Sequence, residues 1–270
     1  MTSFLSRDEE ALSRRFLEEG YVIAPCEDAQ ALQGLVDALL EETNAWMTSR
    51  GSGRSLTDLA ASHEHVATAD LNDLRLHLFA TLNSDDGLRR RYFDLAATLL
   101  TTLVGNELAM QTKVNLSIQQ PDDPTSILDI HSDVWTGDSP FQVVLWTPLT
   151  DAADSNAMFF LPPRQSHEAF RRVRRGELPS MEAVRAAYAA HIAPVNIETG
   201  RILVFNSNCL HGNQLNTTTT SRWSLNCRFV SLLAPATNPE RRLGSFYTPI
   251  SARAATRAGL EALRMLEEES

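Results

Sequence analysis

The sequence has almost no lysine and no long apolar run, and each shortage limits what the protein can be. Lys113 is the only lysine, so nearly all cationic side chains are arginines. The net charge of −10 argues against nucleic acid and anionic membrane surfaces as partners, because an acidic chain repels phosphate groups. No apolar stretch approaches the roughly 20 residues that span a bilayer, and the first residues carry no apolar signal core. We therefore expect a cytoplasmic protein that acts on a small molecule.

Cysteine is also scarce. Cys26, Cys209 and Cys227 have none of the spacings that metal-finger motifs require. Their number is odd, and the expected compartment is reducing. We predict three free thiols.

Helical periodicity dominates the first third of the chain. Ser6 and Glu9 fit a capping box for a helix over 7–19, which Gly20 would end. Apolar residues at helical spacing then cover 28–49, and again 66–104 with a break at Asn83 to Gly87. These segments predict a set of amphipathic helices.

Short alternating segments replace the helical pattern from about residue 109 and predict strands. They are 110–120, 127–135, 141–149, 156–163, 196–206 and 221–233. A charged helical stretch over 167–191 interrupts them, and the tail is helical again. Helices followed by seven or eight short strands favour an α+β fold in which helices pack outside an antiparallel jelly roll. A flat two-sheet sandwich without a site is the alternative.

The 270 residues are 43% hydrophobic, which suffices for one sizeable core. We predict a single domain over 1–270. Residues 1–105 would give mainly helical support, 106–250 the jelly-roll core and 251–270 a C-terminal helix. The oligomeric state is not readable from these patterns.

The motif His131-Ser132-Asp133 is the first feature with chemical meaning. On a strand, residues i and i+2 point to the same face, so an imidazole and a carboxylate would be aimed together. A second histidine, His211, follows the apolar strand that ends at Phe205 and lies in a polar turn. Two histidines and one carboxylate form a ligand set that leaves positions open on iron(II).

Arg222 lies eleven residues after His211, at the start of an alternating strand. Its planar guanidinium can bind a carboxylate through two parallel hydrogen bonds. Ser224 lies two residues further on the same face and offers a hydroxyl to the same carboxylate. Asn226 and Arg228 continue this polar face.

This set of residues, with its spacing, resembles the phytanoyl-CoA dioxygenase-like branch of the iron(II)/2-oxoglutarate oxygenases. The resemblance covers about residues 105–250, and it looks closest to a bacterial subgroup associated with carbohydrate biosynthesis. It implies a double-stranded β-helix, the cupin-like jelly roll. A Pro-Gly-Ser-His turn that is usual in the branch reads Pro-Pro-Arg-Gln-Ser-His here, ending at His167, which we interpret as structural.

The resemblance implies that His131, Asp133 and His211 hold iron, and that Arg222 binds the far carboxylate of 2-oxoglutarate with help from Ser224. The resemblance also implies that Lys113 helps to bind 2-oxoglutarate, because a basic or polar residue often occupies that strand in the branch. Halogenating relatives lack the metal carboxylate, so Asp133 implies hydroxylation or desaturation.

The sequence therefore predicts an Fe(II)/2-oxoglutarate-dependent dioxygenase that hydroxylates a small polar substrate, such as a sugar or nucleotide sugar. Dioxygen and 2-oxoglutarate would be its cosubstrates. A cupin-like metal-dependent isomerase or dioxygenase without 2-oxoglutarate is one alternative. An inactive carbohydrate-binding jelly roll is another. The basic cluster from Arg171 to Arg175 is either a solvated helix face or a clamp for a phosphorylated substrate.

Overall fold

The computed structural model describes residues 4–235 and 238–268, and it confirms the α+β fold with helices outside a double-stranded β-helix. The helices are α1 Arg7–Glu19, α2 Ala29–Ser49, α3 Leu71–Leu82, α4 Leu88–Asp94, α5 Ala97–Val104, α6 Pro163–Arg174, α7 Met181–Ala187 and α8 Ala254–Glu268. Within the described ranges, none of these helices has the length and apolar character needed to cross a membrane.

Within the residues that the structure describes, ten strands form two antiparallel sheets. They are β1 Tyr21–Pro25, β2 Leu108–Gln111, β3 Asn115–Gln119, β4 Gln142–Pro148, β5 Phe159–Phe160, β6 Ala193–Pro194, β7 Arg201–Asn206, β8 His211–Gly212, β9 Arg222–Ser231 and β10 Tyr247–Ser251. The larger sheet has the order β1-β7-β4-β9-β2-β10, with β3 also paired to β9. The smaller sheet has the order β6-β5-β8. The longest strand, β9, therefore pairs with three others and organises the larger sheet.

The first helix follows its sequence signals. Ser6 accepts a hydrogen bond from the Glu9 amide, and the Glu9 carboxylate accepts one from the Ser6 amide. The helix ends at Gly20, which has a φ of 84° and lies against Phe160, where a Cβ would approach the ring to 2.7 Å. The left-handed conformation and the close contact both require glycine.

The helical layer packs against the outer face of β9. Trp223, Leu225, Cys227 and Phe229 are fully buried there, in a core shared with α2 to α5. Tyr92 of α4 reaches into the sheet, where its hydroxyl lies 3.0 Å from the carbonyl oxygens of both Leu145 and Leu225. The opposite face of β9 is polar. Because the helices pack on the other side of the strand, this polar face is free to line a site.

Two predicted strands are wrong in detail. The segment 110–120 is broken between β2 and β3, because Asn83 binds the Val114 amide and the Phe246 carbonyl accepts the Thr112 amide. The segment 127–135 is not a strand. His131 makes only an isolated bridge, and residues 133–136 form a 3-10 turn. Strand β10 was not predicted.

Candidate metal centre

The two predicted metal histidines are bound to each other through their backbones. His131 donates its amide to the His211 carbonyl and His211 donates back, both at 2.9 Å. Each ring is oriented by a carbonyl two residues earlier, because Nδ1 of His131 lies 2.7 Å from the Asp129 oxygen and Nδ1 of His211 lies 3.0 Å from the Cys209 oxygen. A carbonyl only accepts, so both Nδ1 atoms carry hydrogen and both Nε2 atoms keep a lone pair for a metal.

Asp133 reaches the same point from the 3-10 turn. Its Oδ1 lies 3.7 Å from Nε2 of His131 and 3.8 Å from Nε2 of His211. The ligand atoms of the three residues all lie within 4.8 Å of one another. Oδ2 of Asp133 is buried and has no hydrogen-bond partner among the described residues. A buried carboxylate with an unpartnered oxygen is unfavourable, and a cation bound at this carboxylate would offset part of that cost.

The donor set and its protonation also fit a transition metal. Two imidazole nitrogens and one carboxylate oxygen on one side leave the other side open, as non-heme iron(II) requires. Burial is the main factor that lowers the pKa of His211 to about 4. The imidazole is therefore neutral, the form that binds metal.

Arg222 is a buried cation without an anionic partner. It is 3% exposed, and its two Nη atoms donate to the hydroxyls of Ser224 at 3.3 Å and Ser117 at 3.2 Å. Its Nε has no hydrogen-bond partner among the described residues, and no carboxylate lies within ion-pair distance there. Burial, with a smaller contribution from the charge of Arg75, lowers the pKa of Arg222 to about 10. A bound carboxylate would satisfy this guanidinium.

The three ligand residues and Arg222 line one open cavity of about 660 Å³. Its apolar walls come from β4, β7 and neighbouring segments, and its polar walls come from β3, β9 and two loops. The other lining residues include Val144, Trp146, Met158, Phe205, Leu128, Ser117, Ser126, Asn213 and Asn226. Both sheets thus contribute to a cavity that offers apolar contact on one side and hydrogen bonding on the other.

Lys113 is not in this cavity. It is exposed and lies in the break between β2 and β3, because the strand that was predicted to present it is interrupted there. Ser117, on the intact part of β3, contacts Arg222 instead. Ser224 is fully buried and supports Arg222 directly.

The basic cluster on α6 also lies outside the cavity. Arg172 and Arg175 lie 3.2 and 3.8 Å from the Glu177 carboxylate, and neither lines the metal site. His167 is exposed on the same helix. The neighbouring Ser166, not His167, has the structural role, since its hydroxyl binds the Leu161 carbonyl and the Leu210 amide.

Arg228 is the site residue that the sequence did not identify. Its Nη2 lies 3.1 Å from Oδ1 of Asp133. The alternation of β9 placed it on the correct face, but strand rise put its Cα about 20 Å from Arg222. Its position relative to Asp133 could not be read from spacing, because the turn that carries Asp133 was predicted to be a strand.

The comparisons agree with this geometry. A family model described as Phytanoyl-CoA dioxygenase (PhyH) matches residues 16–224. No curated protein matches the chain.

Several solved structures have a similar fold. The non-heme monooxygenase ThoJ in complex with nickel has a TM-score of 0.57 at 17% identity, covering 91% of this chain and 85% of that one. HygX from Streptomyces hygroscopicus, with nickel and 2-oxoglutarate bound, has a TM-score of 0.51 at 14% identity and coverages of 92% and 98%. The epimerase SnoN in complex with Fe3+, alpha ketoglutarate and nogalamycin RO has 0.52 at 17% identity and coverages of 91% and 96%.

Proposed function

The chain belongs to the phytanoyl-CoA dioxygenase (PhyH) family, and from this premise we propose that it is a non-heme iron(II) enzyme that couples 2-oxoglutarate decarboxylation to hydroxylation of a small polar substrate. The observation that supports this most directly is the pairing of two incomplete sites in one cavity. One is the set His131, Asp133 and His211, and the other is the unpaired, buried Arg222. A cupin-like isomerase or dioxygenase that works without 2-oxoglutarate, or a sugar-binding jelly roll, has no need of the second.

Each residue has a defined role in this proposal. His131, Asp133 and His211 hold the iron, which with 2-oxoglutarate and dioxygen supplies the oxidising chemistry. Arg222 binds the distal carboxylate of 2-oxoglutarate. Ser224 holds the guanidinium in place and Ser117 adds a hydroxyl beside it. Lys113 is exposed and is not among the residues that line the cavity, so we do not assign it to cosubstrate binding.

The cavity walls favour a sugar, a nucleotide sugar or a related polar metabolite. Sugars have an apolar ring face and a rim of hydroxyls, and this cavity presents apolar side chains such as Met158 opposite amides such as Asn213. The proteins of similar fold include an epimerase and a carbocyclase from nogalamycin biosynthesis. We therefore propose hydroxylation in preference to epimerisation and ring closure, and the mass of the product distinguishes the three reactions.

The test begins with binding. Under anaerobic conditions the iron(II) protein should develop a weak visible charge-transfer band on addition of 2-oxoglutarate. Alanine at His131, Asp133 or His211 should abolish turnover, strongly weaken metal binding and remove the band at iron(II) concentrations that saturate the wild type, because three ligands provide no redundancy. Stoichiometric iron retained in all three variants would contradict this site.

Turnover is tested next by screening sugars, nucleotide sugars and other polar metabolites for succinate release. Hydroxylation adds one oxygen to the substrate, epimerisation leaves its mass unchanged, and desaturation or ring closure removes two hydrogens. A protein that binds iron but shows no affinity for 2-oxoglutarate would support the isomerase alternative instead.

A further inference from the structure

A row of four alternating charges leads from the metal site to the segment after β9. Arg228 contacts Asp133 at 3.1 Å and Asp138 at 2.6 Å. Asp138 in turn lies 3.1 Å from Nε of Arg241 and accepts a hydrogen bond from Gln142 at 3.3 Å. The side chains of Asp133, Asp138 and Arg228 are at most 18% exposed. Interactions between these charges are therefore only weakly screened by solvent.

Arg228 is itself held from several directions. Its backbone pairs with Val144 in the β4–β9 ladder, and its Nη1 donates to Oε1 of Gln111 at 3.2 Å. Its guanidinium is shared between the carboxylates of Asp133 and Asp138. The direction from which it approaches Asp133 is consequently fixed by the sheet.

The contact falls on the oxygen of Asp133 that faces the histidines. Oδ1 is the atom nearest to both imidazole Nε2 atoms, and it is also the atom that Arg228 contacts. A carboxylate with one oxygen held in this way cannot turn freely to chelate a metal with both oxygens. Groups that orient a ligand are, in general, nearly as important for metal affinity as the ligand itself.

We propose that Arg228 is a positioning residue that holds Asp133 as a one-oxygen metal ligand, and that Asp138 is the counter-ion that allows a cation to lie beside the metal. This inference rests on the proposed metal site and adds two residues to it. Asp138 is shared between Arg228 and Arg241 and offsets part of the Arg228 charge, so less of the Asp133 charge is taken up by the guanidinium before the dication binds. Without Asp138, the guanidinium would repel the metal and compete with it for Asp133.

The experiment is a titration of the metal-free protein with manganese(II), followed by calorimetry or by the paramagnetic signal of the free ion. Arg228→Ala should weaken manganese binding by about 10- to 100-fold, the usual loss when a group that orients a ligand is removed. Arg228→Lys, which keeps the charge but not the planar fork, should recover part of that loss. Asp138→Asn should also weaken binding. The backbone amide of Asp138 donates to the Asp133 carbonyl at 3.2 Å, and this contact is kept in the variant, so the loss would report the side-chain charge that acts through Arg228.

The matched control is Arg222→Ala. Arg222 is a buried arginine on the same face of the same strand, but it does not touch Asp133. Its removal should leave manganese affinity at the wild-type value. The visible spectrum of the cobalt(II)-substituted protein gives a second readout, because the band positions report ligand geometry. They should shift in Arg228→Ala and stay constant in Arg222→Ala.

Thermal denaturation of each metal-free variant separates loss of the fold from loss of the site. If Arg228→Ala does not fold, the lysine variant and Asp138→Asn test the same proposal. Wild-type manganese affinity and an unchanged cobalt spectrum in the folded Arg228 variants would overturn the positioning role alone. Failure of the wild type to bind manganese would instead refute the metal site, and the positioning role with it.

Discussion

Replacing Arg222 with alanine should remove most of the affinity for 2-oxoglutarate while leaving metal affinity unchanged. Arg222 is 3% exposed, and its hydrogen-bond partners among the described residues are two serine hydroxyls. A bound carboxylate would therefore be its one ionic partner. Removing one member of a buried charge pair costs roughly 3–5 kcal/mol. At about 1.4 kcal/mol per tenfold change, the dissociation constant for 2-oxoglutarate should rise by roughly two to three and a half orders of magnitude.

The assay is calorimetric titration of the manganese(II)-loaded protein with 2-oxoglutarate. Arg222→Lys should restore only part of the affinity, because an ammonium cannot make the two parallel hydrogen bonds of a guanidinium. Arg228→Ala, measured at saturating manganese, should bind 2-oxoglutarate as the wild type does, since Arg228 is already paired with two carboxylates. A larger loss from Arg228→Ala than from Arg222→Ala would show that the cosubstrate is anchored on the other arginine.

Three further perturbations have definite expected outcomes. Asp133→Gly should leave an open coordination position on the iron, facing the Arg228 cation. Azide or chloride should bind there and change the iron(II) spectrum; an identical spectrum with and without azide would contradict this. Burial raises the pKa of both Cys209 and Cys227 to about 12, so at pH 8 a disulfide reagent should titrate at most one of the three thiols in the native protein and all three after denaturation. Tyr92→Phe should lower the free energy of unfolding by about 1–3 kcal/mol, measured in urea, because it leaves two buried carbonyl groups short of a donor; a wild-type midpoint would show that the carbonyls are otherwise satisfied.

Local signals predicted the helical part well. The capping box at Ser6 and the glycine at position 20 are contacts between residues close in sequence, and the structure forms them as expected. The polar face of β9 was also predicted, because alternation within one strand needs no knowledge of its neighbours. The three cysteines all lie in the part of the chain that the structure describes, and the prediction that they are free thiols is confirmed.

The segment around Asp133 shows where such signals fail. Alternating apolar residues over 127–135 predicted a strand, yet the backbone there follows a turn that Gly137 ends with a φ of 96°. The segment has no strand partner beyond the one bridge at His131, and pairing over long sequence distances decides whether an alternating segment becomes a strand. The structure nevertheless brings the three predicted ligand residues together, because a His-x-Asp motif can converge from a turn as well as from a strand.

Long-range packing accounts for the two other differences. Lys113 was expected on a continuous strand, but Asn83 from the end of α3 takes the Val114 amide and interrupts it. Counting residues along β9 predicted that Arg228 lies far from the cosubstrate. That count measures the separation of Arg222 and Arg228 along the backbone. Counting could not show that Asp133 lies at the other end of the same cavity.

The backbone bridge between His131 and His211 links metal release to an opening of the protein itself. The two amide hydrogens of this bridge and the two ligand nitrogens belong to the same pair of residues. Folding has already closed the long loop between the two histidines, so their separation is set before a metal ion arrives. Metal binding therefore costs little further chain entropy. Amide hydrogen exchange at these two positions and the spontaneous loss of the metal should then report the same local opening. In the metal-loaded protein the two should have a common rate, and both amides should exchange faster once the metal is removed.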